Sequence, residues 1–160
     1  MNDPKLLFKG CNCLDIQLEN SRGEPVRVLV TQHQGRPFAA IYFPKVKDFQ
    51  GEPTAFHSPT GKESFDEIRF LENVGLTVEK IEKGFRAKAS IPLEALRLEL
   101  KPGQKLKMDL GYIFGNAQGM GKAVRRAYIF NNSFSANVVD DIPNESRLEL
   151  KEWGEATVAE

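Results

Sequence analysis

Leu14-Asp15-Ile16-Gln17-Leu18-Glu19, then Asn20-Ser21-Arg22-Gly23-Glu24-Pro25, then Val26-Arg27-Val28-Leu29-Val30-Thr31 is the stretch that decides the fold. Leu14, Ile16 and Leu18 alternate with Asp15, Gln17 and Glu19. Val26, Val28 and Val30 alternate with Arg27, Leu29 and Thr31. Successive side chains of a strand point to opposite faces, so a period of two reads as two strands, each with one buried face. The polar segment between them, with Gly23 and Pro25, reads as a hairpin loop. If that loop centres near Ser21, Asp15 and Arg27 lie directly opposite each other, within pairing distance.

The same alternation recurs downstream. Phe85, Ala87, Ala89 and Ile91 alternate with Arg86, Lys88 and Ser90, and Leu106, Met108 and Leu110 with Lys107, Asp109 and Gly111. Each run predicts a strand with one buried face. Less regular strands are expected over 38–43, 65–71, 76–82, 123–130 and 147–150. Gln34-Gly35-Arg36-Pro37, Glu82-Lys83-Gly84 and Lys101-Pro102-Gly103-Gln104 supply turns, and 115–121, with three Gly, reads as the most flexible loop. One short helix is expected, with Pro92 at its first position and Leu93-Glu94-Ala95-Leu96-Arg97 behind it. The segment 45–64, with Gly51, Pro53, Pro59 and Gly61, reads as a long loop. Many short strands with little helix predict an all-β fold, an antiparallel β-sandwich of jelly-roll or immunoglobulin-like kind with one short helix. A lipocalin-like barrel would want more regular hairpins.

A chain of 160 residues fits one domain, large enough to fold without staples. Lys plus Arg and Asp plus Glu number 22 each, so nothing in the charge favours nucleic acid or an anionic membrane as a partner. No apolar run approaches the roughly 18 residues of a spanning helix. Met1-Asn2-Asp3-Pro4-Lys5 lacks the basic start and apolar core of a signal peptide. Cys11 and Cys13 are too close in sequence to bridge without strain, and they read as free thiols.

Catalytic motifs are absent. Ser stands in no G-x-S-x-G context, and no H-E-x-x-H, EF-hand or Walker pattern occurs. The glycines of 115–121 lack dinucleotide spacing. His33 and His57 share no motif and read as ordinary surface residues. The carboxylates Asp15, Asp109, Asp140 and Asp141 cannot be paired across a glycosidic bond from sequence. No enzyme is expected.

Gly84-Phe85-Arg86-Ala87-Lys88-Ala89-Ser90-Ile91-Pro92-Leu93-Glu94-Ala95-Leu96, followed by Pro102-Gly103-Gln104 and Met108-Asp109-Leu110-Gly111, is the first of several ordered blocks. Arg126-Ala127-Tyr128-Ile129-Phe130-Asn131, Val139-Asp140-Asp141-Ile142-Pro143-Asn144-Glu145-Ser146 and Trp153-Gly154-Glu155 complete the C-terminal set. Leu7-Phe8-Lys9-Gly10-Cys11-Asn12-Cys13-Leu14-Asp15-Ile16-Gln17-Leu18 stands at the other end. In order and spacing these blocks resemble the carbohydrate-binding modules of family 9, within the DOMON-like β-sandwich superfamily. The resemblance spans nearly all of 1–160. Family members start with further strands, so it implies a single domain that begins inside the family fold, with sheet edges left to pair with another chain as a homo-oligomer.

The resemblance also implies function: a non-catalytic module that binds sugars or polysaccharide ends, as an accessory part of an extracytoplasmic (periplasmic or secreted) protein. Aromatic rings stack on sugar C–H faces there, and carboxylate, amide and Arg groups hold the hydroxyls. The positions it names for carbohydrate are Asp15, Arg27, Phe8, Tyr128 and Asn131. Ile129 stands where the family carries Trp. The bland reading of Asp15 and Arg27 is a surface cross-strand ion pair worth under about 1 kcal/mol. Trp153 is expected to pack structurally. Asp140, Asp141 and Glu145 read as a solvated loop or, alternatively, a calcium site; no other cofactor is expected. Two rivals stand beside sugar binding. One is a structural or protein-interaction sandwich that has lost the sugar site. The other is haem held between Met108 and His33, after haem-binding members of the superfamily.

Overall fold

The hairpin at residues 13–33 forms the middle of the main sheet. In the computed structural model, which describes residues 3–116, 122–131 and 141–159, β1 (Cys13–Glu19) pairs antiparallel with β2 (Pro25–His33). Ser21-Arg22-Gly23 makes the tip, with Gly23 in the left-handed region at φ 74°. The Asn20 N–H donates to the Glu24 carbonyl at 2.9 Å, closing a three-residue loop of the kind that needs Gly in its left-handed position. This moves the centre of the hairpin one residue beyond Ser21. Asp15 therefore faces Leu29 and Gln17 faces Arg27, so Asp15 and Arg27 are diagonal neighbours, not direct partners.

The remaining strands are β3 (Arg36–Phe43), β4 (Thr54–Ser58), β5 (Gly61–Phe65), β6 (Glu67–Leu71), β7 (Gly75–Ile81), β8 (Gly84–Ser90), β9 (Lys105–Gly115), β10 (Ala123–Tyr128) and β11 (Gly154–Thr157). The main sheet runs β10-β9-β1-β2-β3-β6, and β11 pairs with the first half of β9, below β10 on the same edge. β4–β5 and β7–β8 form separate hairpins. The architecture is thus all-β and antiparallel, layered as a sandwich, as the alternation predicts. Among the described residues helix is confined to short pieces: 3₁₀ turns at Pro4–Lys9, Leu93–Leu96 and Leu150–Glu152, and α1 at Ile142–Ser146. Pro92 caps the expected helix from outside. Among the described residues no helix is long and apolar enough to cross a membrane.

Four expectations need correction. The segment 45–64 is no structureless loop: Pro59 and Thr60 turn β4 into β5. The expected strand over 65–71 is broken at Asp66. Residues 147–150 form no strand and link α1 to β11. β8 forms but is largely exposed on both faces: its hairpin meets the sheet at its base, near Leu76 and Ile91, and through Phe85 near its tip, whose ring lies 4.9 Å from that of Tyr112 in β9.

The largest departure concerns the sheet itself, which is buried on both faces. Leu18, Val26, Val28, Val30, Ala39, Ile41 and Phe43 meet Val74, Leu96 and Leu98 on one side, an apolar face. On the other, Cys13, Leu29, Phe38, Ala40, Tyr42 and Ile113 meet Leu7, Phe8, Phe65, Leu148 and Trp153. Asp15 and Gln17 of β1 and Arg27 and Thr31 of β2 are buried on this second, mixed face.

Glu24 ties the hairpin tip to its surroundings. Its carboxylate accepts from the Asn20 amide and the Lys47 N–H, each at 2.9 Å, and lies 3.7 Å from the Arg97 guanidinium. Burial alone would raise the Glu24 carboxyl, but these partners outweigh it and hold the group below its ordinary 4.5. A carboxyl depressed by folding stabilises the native state above its unfolded pKa, and that contribution is lost as pH falls through the folded value. Stability is therefore expected to drop as pH falls below about 4.5, the ordinary carboxyl value, and Glu24→Gln to flatten part of that drop. Urea midpoints across this range check it; an unchanged pH slope in the variant would refute the assignment.

Candidate functional site

Asp15, Arg27, Tyr128 and Phe8 come together on the mixed face. The Arg27 Nε donates to Asp15 Oδ1 at 3.1 Å and its Nη2 to Oδ2 at 2.7 Å, a bidentate pair across one diagonal of the β1–β2 ladder. Tyr128 Oη, from β10, donates to the same Oδ2. The Gln17 amide completes the shell of the carboxylate at 3.4 Å. Phe8 places its ring 5.7 Å from the guanidinium carbon. The pair is not on the surface, contrary to the bland expectation: both side chains are 0% exposed.

The network is also closed. The last donor arm of Arg27, Nη1, gives hydrogen bonds to the backbone carbonyls of Glu145 at 2.8 Å and Ser146 at 3.0 Å, and so pins α1 to the sheet. Beside it Arg126 binds the Phe8 carbonyl at 2.7 Å and the Glu145 carboxylate, which Lys9 reaches at 3.0 Å from the other side. Burial opposes the charge on Arg27, but the Asp15 carboxylate outweighs it and holds the guanidinium above its ordinary pKa. Burial and the Asp15 charge push the Tyr128 hydroxyl well up, keeping it a donor. Tyr128 reaches Asp15 because β9 offers Gly111 beneath it; any Cβ there would run into the tyrosine ring and the Ala127 carbonyl.

Asn131 is buried but stands apart from this cluster. Its N–H donates to Asp109 Oδ2 at 2.9 Å, and the Phe130 N–H to Oδ1 at 3.1 Å. Ile129 is 63% exposed. Trp153 packs into the mixed face as expected, with Nε1 donating to Gln17 Oε1 at 3.1 Å. The sequence reading missed Glu145 and Arg126 as partners of the network. Asp140 lies outside the described residues. Asp141 caps α1 through the Asn144 N–H at 3.1 Å. Glu145 turns inward to the two cations, so these two carboxylates do not share a solvated loop. Among the described residues no group of His, Cys, Asp and Glu side chains is arranged for a metal. Met108 packs on the apolar face while His33 lies against Phe38 on the mixed one, so the sheet separates the pair the haem reading requires. Burial raises the thiols of Cys11 and Cys13, disfavouring thiolate.

An open cleft lies at the far end of β2 and β3. Gln34 and Gly35, at φ 51° and 76°, form the tight turn between the two strands. His33, Gln34, Arg36, Pro37 and Phe38 line one side, and Glu72 and Asn73, just past β6, the other, around about 580 Å³. The Phe38 ring lies between His33, at 5.3 Å, and Phe70, stacked at 5.8 Å. Comparison of the chain with protein-family models, curated proteins and solved structures gives no match.

Proposed function

We propose that this domain is a non-catalytic carbohydrate-binding module serving an extracytoplasmic protein. One observation carries the reading. The carboxylate, guanidinium and aromatic hydroxyl named by the resemblance to family 9 modules, Asp15, Arg27 and Tyr128, come from three strands and meet within hydrogen-bonding distance, with Phe8 against the guanidinium. The hairpin alone brings Asp15 beside Arg27; what the resemblance adds is Tyr128, from β10, and Phe8 as their partners. The frame is suited to recognition: a rigid two-faced sheet that holds loops at its ends.

Calorimetric titration with cello-, xylo- and manno-tetraose tests the proposal. Binding of at least one is expected with a Kd on the order of 0.1–1 mM, about 4–5.5 kcal/mol. No heat with any of these, and no response on an array of glucans, xylans and mannans, would overturn it.

The closure of the network favours a second reading, in which the domain is a structural or protein-interaction sandwich without a sugar site. Asp15 and Arg27 have no exposed surface, and their polar atoms are taken up within the protein. On that reading the domain binds none of the three sugars.

A further inference from the structure

We propose that the saccharide is bound in the cleft between the Gln34–Gly35 turn and Glu72–Asn73, and that the Asp15–Arg27–Tyr128 network is the support beneath the domain and not its sugar contact. The inference rests on the carbohydrate reading and places its site. It starts from a contrast between two sets of polar groups. Those of the network are spent on one another and on the backbone of α1. At the cleft, no described residue gives a hydrogen bond or ion pair to the side chains of Gln34, Arg36, Glu72 or Asn73, and all four are exposed. A carboxylate, a guanidinium and two amides thus converge on one concave surface with their hydrogen-bonding capacity unused.

The chemistry of that set fits a neutral sugar. Hydroxyl groups donate and accept, so they need both kinds of partner. Glu72 accepts, Arg36 donates, and Gln34 and Asn73 do both. Hydrogen bonds to the two charged groups are the stronger ones. Arg36 and Glu72 balance in charge, so a neutral ligand suits the cleft better than an anion. Phe38 is buried between His33 and Phe70, so the aromatic surface the cleft offers the apolar face of a pyranose is the half-buried His33 ring, backed by Phe38. A volume of about 580 Å³ lies within the roughly 300–1,000 Å³ of small-molecule sites and accommodates one or two sugar rings.

The walls are fixed by the sheet. His33 faces Arg36 in the last pair of the β2–β3 ladder. Ala39 faces Leu71 at the end of β6, which sets Glu72 and Asn73 beside Phe38. Because the four polar residues are exposed and unengaged, replacing them is expected to leave the fold intact, and the test does not depend on a destabilised protein.

The test uses whichever of cello-, xylo- or manno-tetraose binds the unmodified protein best. Glu72→Gln and Asn73→Ala are each expected to weaken its Kd about tenfold, the effect of losing about 1.4 kcal/mol, with unchanged melting temperature. In an amide NMR titration the sugar should shift the signals of residues 33–38 and 72–73. The rival location is tested by Tyr128→Phe, which removes a hydrogen bond from Asp15. If Tyr128→Phe abolishes binding while folded, and Glu72→Gln and Asn73→Ala bind normally, the cleft is refuted and the carbohydrate reading stands. If the unmodified protein binds none of the three sugars, the carbohydrate reading fails and this inference with it.

Discussion

Arg27→Ala is expected to cost roughly 3–5 kcal/mol, the penalty for stripping one partner from a buried ion pair. The Asp15 carboxylate would stay in the mixed face with Tyr128 and Gln17 but no counter-charge. The carbonyls of Glu145 and Ser146 would lose their donor, and with it one of the ties that hold α1 to the sheet, leaving the Arg126–Glu145 pair. For a domain of this length each kcal/mol is worth about 2–4 °C, so the melting temperature should fall by roughly 6–20 °C. The double variant Asp15→Leu/Arg27→Met separates the two losses. Replacing a buried ion pair with apolar side chains of similar size is often neutral. The double variant should therefore be more stable than Arg27→Ala but retain a deficit of about 1 kcal/mol for each group left without its partner, the two carbonyls and the Tyr128 hydroxyl. Thermal and urea unfolding followed by circular dichroism measure both. A loss below about 1 kcal/mol in the single variant would mean that the pair behaves as a surface contact.

The way this site formed shows what the sequence could and could not reveal. Alternation in β1 and β2 assigns Asp15 and Arg27 to the same side of the sheet, and that much was legible because a strand's period of two is a local property. The register was not. It depends on Gly23 adopting a left-handed conformation in a three-residue loop, and a shift of one residue in the turn converts a direct pair into a diagonal one. Burial was legible only by halves. The valines announced one buried face, but the cover over Arg27 comes from Phe8 in Pro4–Lys9 and from α1, up to 119 residues away. No periodicity links such segments. The β4–β5 hairpin was read as a loop because Pro59 and Gly61, which shape its turn, are also the residues that mark irregular chain. In β8 the failure was the opposite. Its alternation is clear, yet a pattern records only which side chains would suit a core, and the hairpin meets the sheet only near its base and through Phe85 near its tip. The cleft was invisible for a similar reason, since Arg36, Glu72 and Asn73 are ordinary polar residues until β3 and β6 bring them side by side.

Phe8→Ala is the second large effect, expected to cost about 3–5 kcal/mol. The ring has no exposed surface. It meets Tyr42 and Phe56 edge-on at centroid distances of 5.9 and 5.6 Å, and it lies against the Arg27 guanidinium. Truncation would leave a cavity at the junction of the sheet, the β4–β5 hairpin and the Pro4–Lys9 turn, whose Phe8 carbonyl also receives Arg126. Phe8→Leu keeps most of the volume and should cost less than half as much, since the ring contacts are lost but little space opens. The comparison also bears on function, because the resemblance names Phe8 among the sugar contacts. A stacking residue would lose binding in Phe8→Leu while the fold stayed at full strength. A supporting residue shows the reverse: graded loss of stability from Leu to Ala, with the Kd for tetraose unchanged in whatever fraction remains folded. A ring enclosed on every side by Tyr42, Phe56 and Arg27 offers no face to a pyranose, so the second pattern is the expected one.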